Sequence, residues 1–178
     1  MRTLKLLLAL LIVIGTAPMA LAHDDERTLR ARLSGYNETP LTLSTPASGQ
    51  FKAQVNSSET MITYQLSYQG LEGTVTQALI HLGRPAITGG IVLFLCTNLA
   101  PPAGVPTPQA CPTPPTTISG TLTAADVIAQ TGQGIAGSAD FGEVVRAIRA
   151  GATYANVHST LRPGGEIRGP IGGGDHDD

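Results

Sequence analysis

The chain has 178 residues, of which 42% are hydrophobic, 13% charged and 4% aromatic, and its formal net charge is −2. This length accommodates one domain of ordinary size but not two full-sized domains. The charged fraction lies well below the roughly 25% typical of soluble domains, which argues against intrinsic disorder, a coiled coil and a nucleic-acid-binding surface. The composition therefore gives no reason to expect a nucleic acid or another polyanion as the partner.

Residues 1–22 have the composition of a secretory signal peptide. Arg2 and Lys5 precede an apolar run at 6–14, and Ala20 and Ala22 stand where a signal peptidase reads small residues. The apolar run is shorter than the about 20 residues that a membrane-spanning helix needs. We expect cleavage after Ala22, a secreted or periplasmic protein, and no membrane span once the signal is removed. A signal retained as an anchor is the alternative.

The two cysteines, Cys96 and Cys111, both lie in the part of the chain that would reach an oxidising compartment. The segment 97–117 holds seven prolines. Proline neither donates to a sheet ladder nor continues a helix, so this segment is predicted to be an irregular loop. A disulfide would close the base of the loop. The close spacing and flanking histidines of a thiol metal site are missing.

Alternation of apolar and polar residues predicts an all-β fold. In 50–56, for example, Phe51, Ala53 and Val55 alternate with polar residues, the pattern of a strand with one buried face. The predicted strands are 28–34, 50–56, 61–69, 75–82, 91–95, 118–122, 153–159 and 166–171. Short strands separated by Gly- and Pro-rich turns are typical of a Greek-key β-sandwich or barrel.

Two segments predict short connecting helices. Thr123 and Asp126 have the spacing of a capping box, which predicts a helix through about Gln130. The second helix is predicted from Asp140, with apolar residues at helical spacing and a stop at Gly151.

Four clusters carry a family resemblance: LSGYNETP at 33–40, ALIHLG at 78–83, GATYANVHS at 151–159 and PGGEIRG at 163–169. In this order and at these separations they resemble the CHRD domain, the module named after the extracellular protein chordin. The resemblance implies a secreted all-β domain, immunoglobulin-like or superoxide-dismutase-like in architecture. In chordin the modules belong to a protein that binds growth factors.

One position departs from the family pattern, which usually has His-x-His where this chain has Leu79-Ile80-His81. Two histidines at i and i+2 on a strand point to the same side. That geometry would begin a metal site of the kind found in superoxide dismutases. Because Leu79 replaces the first histidine, half of the pair is missing here.

The alternation also gathers a polar cluster near the C-terminal end of the domain. Tyr154, Asn156 and His158 share one side of their strand, Glu166 and Arg168 share one side of the next, and His81 lies opposite its apolar neighbours. If the last two strands pair, His158 and Glu166 come close. The candidate site, whether structural, ligand-binding or metal-binding, consists of six residues: Glu38, His81, Asn156, His158, Glu166 and Arg168.

Three roles are open for this cluster. In the structural role, Arg168 pairs with Glu166 or Glu38, and the histidines donate to backbone carbonyls. In the second role, the cluster contacts a ligand or partner. In the third, His81 and His158 bind Cu or Zn, although two imidazoles and few carboxylates are a small set for such a site. A glycosidase pair of Glu38 and Glu166 has no support from their spacing.

The sequence therefore predicts a signal peptide at 1–22, a lead-in at 23–32, the β domain at 33–171 and a disordered acidic tail at 172–178. We interpret the chain as a non-catalytic secreted binding or structural module without a cofactor. Its partner would be an extracellular or envelope protein or polymer, and the Pro-rich loop at 97–117 is the expected recognition surface. The alternative is a metal-binding protein or a dismutase-like metalloenzyme that uses His81 and His158.

Overall fold

The computed structural model describes residues 28–101 and 103–173, so the predicted signal peptide and residues 174–178 of the predicted tail lie outside the described part. All eight predicted strands are present, three of them with the predicted bounds and the others within two residues. The strands are β1 (Leu29–Ser34), β2 (Ser48–Val55), β3 (Met61–Gln69), β4 (Val75–Leu82), β5 (Gly90–Thr97), β6 (Thr116–Thr123), β7 (Thr153–Ser159), β8 (Ile167–Pro170) and β9 (Gly172–Gly173).

The nine strands form one antiparallel sheet that rolls into a nearly closed barrel. Their order is β5-β4-β7-β8-β1-β2-β3-β6, and β9 pairs with β1. Of the two predicted architectures, the chain adopts the barrel-like one. The core inside it consists of the inward-facing residues of the strands, among them Leu33, Phe51, Ile62, Leu66, Tyr68, Ile80, Leu93, Val157 and Ile167.

The gap between the two edge strands, β5 and β6, is bridged by Tyr64 and Gln109. The Tyr64 hydroxyl donates to the carbonyl of Leu95 at 2.6 Å. Gln109 accepts a backbone bond from Thr97 on β5 at 2.9 Å, and its side-chain amide donates to the carbonyl of Ser119 on β6 at 3.1 Å. Because Gln109 bonds to both edge strands, this part of the Pro-rich loop belongs to the structure of the barrel. Sheet edges that are bonded in this way are protected from pairing with other chains.

The predicted disulfide is confirmed. Cys96, near the end of β5, is bonded to Cys111, with Cα atoms 5.0 Å apart, and both residues are buried. Asn98 reinforces the loop base, because its amide bonds to the backbone N–H and carbonyl of Cys111. The loop between them therefore has a fixed base.

The second predicted helix is present as α1 (Phe141–Arg149). Its apolar stripe, which includes Val144 and Ile148, is buried in the same core as the strands. Gly151 follows with φ +64°, the left-handed conformation that ends a helix. Within the described residues, no helix has the length and apolar character that crossing a membrane requires.

The first predicted helix is wrong beyond its first turn. Thr123 and Asp126 form the capping box, but the helix is a single 3-10 turn, Ala124–Asp126. The chain then extends, and the N–H of Ile128 donates to the carbonyl of Val92 on β5 at 3.0 Å. Pairing with the open edge of β5 satisfies these backbone groups without a helix.

The predicted bounds of the domain also differ at both ends. Leu29–Arg32 of the predicted lead-in already belong to β1. Gly172 and Gly173, the first residues of the predicted disordered tail, pair with Arg30 and Leu29. Composition suggests disorder for a glycine run, but here the backbone completes the free side of β1.

Candidate functional site

The predicted polar cluster lies on the outer side of β4, β7 and β8. Every residue of β7 is buried, because Ala155 and Val157 face the barrel core and three loops cover the other side. These loops are the connections 35–47, 83–89 and 160–166, and we call them the braced loops. Beneath them lie Glu38, His81, Tyr154, Asn156, His158 and Arg168, all less than a tenth exposed.

Arg168 connects β8 to two of the braced loops. Its side chain is only 2% exposed. One guanidinium nitrogen donates to the hydroxyl of Thr39, and the other donates to the carbonyl of Ile87 at 3.0 Å. The guanidinium carbon lies 3.6 Å from the centre of the Tyr154 ring, a cation–π contact.

The carboxylate pair suggested for Arg168 is not among its bonds. No salt bridge within the described residues includes Arg168. The Glu38 carboxyl is near enough for the Arg168 charge to lower its pKa, but burial has the larger effect and raises the pKa of Glu38 to about 7. Glu38 is therefore only partly ionised at neutral pH.

His81 lies on β4 and contacts the loop that follows this strand. Its Nδ1 donates to the carbonyl of Gly89 at 2.9 Å, and its ring stacks on Tyr154 with centroids 4.7 Å apart. The N–H of Gly89 in turn donates to the Tyr154 hydroxyl at 3.2 Å. A Cβ at position 89 would lie 1.8 Å from the carbonyl oxygen of Leu82, so the close approach of these two backbone segments requires glycine.

His158 has a similar arrangement on the next strand. The backbone of Pro163 lies close enough to raise the pKa of His158 slightly, and the His158 Nε2 has no partner. Burial is the main reason why the pKa of His158 falls to about 4, and neighbouring His81 lowers it further. Burial also lowers the pKa of His81, and the Arg168 charge adds to the effect. Both imidazoles are neutral near pH 7.

Asn156 lies on β7, directly opposite Arg168 in the register, and packs against the turn that joins β7 to β8. A Cβ on Gly165 would lie within 2.8 Å of Asn156 and of the Glu38 carboxylate, and the φ of Gly165 is +129°. The turn thus closes over Asn156 and Glu38 only because residue 165 is glycine.

Glu166 belongs to a second bonding network. Its carboxylate accepts bonds from the Ser159 hydroxyl, from the Thr45 hydroxyl at 3.1 Å and from the backbone N–H of Glu72 at 2.7 Å. No hydrogen bond in the described part of the chain joins it to His158 or Arg168. Glu166 therefore ties β8 to the loops before β2 and before β4, beside the other five site residues.

The donor set does not fit a Cu or Zn centre. His81 donates through Nδ1 to a carbonyl and keeps Nε2 without a partner, which is the orientation that a metal-ligating histidine has. The Nε2 of His158 also has no partner. In residues 28–101 and 103–173, however, no three His, Cys, Asp or Glu side chains are grouped closely enough to hold a metal. Leu79, fully buried opposite Asn156, occupies the position of the missing histidine. We derive no chemistry through a metal here.

The hydrogen bonds of this cluster fix the positions of the braced loops. Arg168 and His81 each donate to a backbone carbonyl of a connection. Ser159 donates to Glu166, and Glu166 shows no unsatisfied oxygen. With a pKa of about 4, His158 is a weak base at neutral pH.

Several residues that complete the site were not predicted. Thr39 stands in one of the family clusters, but its bond to Arg168 had no local signal. Ile87 and Gly89 act through their backbone, which a side-chain pattern cannot reveal. Of the partners of Glu166, Thr45 lies 121 residues away in sequence, whereas Ser159 lies only 7 residues away and was recognised only as part of a family cluster.

The fold and the site together define a β-barrel module whose loops are anchored by a buried polar cluster. The family model of the CHRD domain matches residues 29–171, and the chain belongs to the CHRD domain family. No curated protein and no solved structure matches the chain.

Proposed function

We propose that the chain is an exported, non-catalytic module that binds a protein partner through the braced loops. CHRD membership supports a binding module in general, and the disulfide supports an oxidising compartment. The partner is an extracellular or envelope protein.

One observation carries the choice of surface. Among the described residues, the exposed large apolar side chains are five, and four of them stand on the braced loops: Tyr36, Leu41, Ile87 and Leu161. Tyr36 is 69% exposed and Leu41 is 73% exposed. Exposed aromatic and aliphatic side chains on a rigid support are typical anchors of protein interfaces.

The polar cluster explains how these side chains are presented. Arg168 bonds to both of the loops that carry Tyr36, Leu41 and Ile87, and the hydroxyls of Thr39 and Thr88 lie 3.2 Å apart between the same loops. A loop that is ordered before binding loses less conformational entropy when it binds.

The Pro-rich loop is the second candidate surface. It carries the fifth exposed apolar side chain, Leu99, and no charged residue occurs between Arg84 and Asp126. Because Gln109 bridges the edges of the barrel, a test should remove only the tip, residues 101–104, and leave the base intact.

Affinity capture from the extracellular fraction of the source culture tests the proposal. We expect the exported chain to begin at His23 and to capture a defined protein. The triple variant Tyr36→Ser, Leu41→Ser, Ile87→Ser should lose this capture, and the variant without 101–104 should keep it. Capture lost only with the tip would move recognition to the Pro-rich loop. If both variants captured the protein as well as wild type does, neither the braced loops nor the tip of the Pro-rich loop would be the binding surface.

A further inference from the structure

We propose that the outer side of β1, β2, β3 and β6 binds an acidic polysaccharide, because it aligns three cations, none of them in a salt bridge with another described residue, with rows of amide and hydroxyl side chains. We call this surface the polar sheet face. Its side chains form three rows across the strands: Arg30, Lys52, Gln65 and Ser119; Arg32, Gln50, Ser67 and Thr117; and Gln54, Thr63 and Thr121. The proposal concerns other strands than the braced loops and goes beyond the proposed function.

The polar sheet face is open to solvent. Its residues are exposed, apart from half-buried Ser67, whereas their neighbours along each strand, such as Ala31, Phe51 and Leu66, face the core. The three rows contain no acidic, apolar or aromatic side chain. The side chains that project from these rows are therefore cations, amides and hydroxyls.

The three cations lie together, and none of the described acidic residues pairs with them. Arg30 lies directly opposite Lys52 in the register, and Arg32 follows two residues later on the same side of β1. Like charges directly opposite each other on a sheet destabilise it. No salt bridge within the described residues includes any of the three, so an anion bound there would relieve their repulsion.

The shape of the face suits an extended chain. Three shallow depressions of about 470, 170 and 330 Å³ lie across it, and they join at Gln50 and Lys52. The nine residues of β3 span about 30 Å and four strands span about 14 Å. Several sugar rings of a linear polymer fit within these dimensions.

The chemistry favours a polysaccharide over other anionic polymers. Amides and hydroxyls both donate and accept, as sugar hydroxyls require, and arginine forms paired bonds with carboxylate or sulfate groups. Single-stranded nucleic acid would need aromatic side chains for base stacking, and a bilayer surface would need apolar side chains to insert. The three rows provide neither.

The net charge of −2 for the whole chain hides this local excess. Exposed charges interact strongly only within about 8–10 Å at physiological ionic strength. Arg30, Arg32 and Lys52 therefore act on a ligand bound to this face at close range.

The test measures the affinity of the full chain for polygalacturonate at two salt concentrations, without calcium. The variant Arg30→Gln, Arg32→Gln, Lys52→Gln removes the three cations from exposed positions. A matched control, Arg84→Gln, Arg146→Gln, Arg149→Gln, makes the same change of net charge on exposed residues elsewhere. Methyl-esterified polygalacturonate, polyglutamate, single-stranded DNA and anionic phospholipid vesicles are the comparison ligands.

We expect polygalacturonate to bind, to weaken as salt rises, and to bind at least tenfold more weakly to the sheet variant than to the control variant. The methyl ester should bind at least tenfold more weakly as well. Equal affinities of the two variants would overturn the proposal, and so would tighter binding of polyglutamate, DNA or vesicles. Protein capture through the braced loops is unaffected by the sheet variant, so each proposal fails separately.

Discussion

Arg168 is a buried cation whose bonds go to a hydroxyl and a carbonyl and whose charge rests on the ring of Tyr154. A buried charge is costly unless its surroundings satisfy it. Here the cost is offset by contacts that connect β8, β7 and two loops. The residue is therefore a positioning residue for the loops.

Replacing Arg168 by Ala should lower the free energy of unfolding by about 1–3 kcal/mol, because it leaves the carbonyl of Ile87 without its donor and empties a packed site. Chemical denaturation followed by circular dichroism measures the change. The control Arg84→Ala alters an exposed arginine and should change stability by less than about 0.5 kcal/mol. A variant as stable as this control would show that Arg168 does not brace the fold.

His158 makes the stability of the protein depend on pH. Its pKa in the folded chain, about 4, lies below the ordinary 6.5, so protonation favours the unfolded chain. The contribution of neutral His158 to the free energy of unfolding is fully present above pH 6.5 and is lost as pH falls towards 4. Glu38, with its raised pKa, acts in the opposite sense: its contribution is present below about pH 4.5 and is lost as pH rises through 7.

The variant His158→Asn isolates the histidine, because the asparagine amide keeps a donor near the position of Nδ1 but does not titrate. We expect the stability difference between wild type and variant to shrink by about 3 kcal/mol from pH 7 to pH 4. Glu38 and His81 titrate in both proteins, so their effects largely cancel. Urea denaturation at each pH gives the difference, and a constant difference would contradict the assignment.

At the scale of elements, a disulfide and hydrogen bonds fix several connections to the strands. The Cys96–Cys111 disulfide closes a loop with a sequence separation of 15, and Gln109 inside this loop bonds to both edge strands. Loss of the disulfide therefore also weakens the closure of the barrel.

The double variant Cys96→Ala, Cys111→Ala should be less stable than wild type by about 3 kcal/mol, the entropy of closing a loop of this length in the unfolded chain. Thermal and chemical denaturation measure it. Wild type with a reductant should approach the variant, and the variant itself should not respond. A variant with wild-type stability would mean that Asn98 and Gln109 hold the loop alone.

The bounds of the strands and helices also show where local sequence patterns were sufficient to predict the structure. The alternation in β3, β4 and β7 reproduced their bounds, because each strand has one side in the core. The helix predicted from Thr123 failed after one turn, because β5 offered unpaired carbonyls and the chain extended to meet them. A capping box reports only the start of a helix.

At the scale of the whole molecule, one barrel presents two different surfaces. The braced loops carry four exposed large apolar side chains and are proposed to bind a protein. The polar sheet face carries cations, amides and hydroxyls and is proposed to bind an acidic polymer. Together they would allow one exported module to connect a protein to a carbohydrate matrix.

By itself, the sequence determined the β class of this protein, its strands, its disulfide and the side of β7 on which Asn156 and His158 lie. These features depend on neighbours along the chain or on a period of two. Only the tertiary structure decided that the sheet closes as a barrel and that Arg168 bonds to Thr39 and Ile87, while Glu166 belongs to a separate network. Those contacts join residues far apart in sequence, several through backbone atoms that every residue possesses, so no local pattern encodes them.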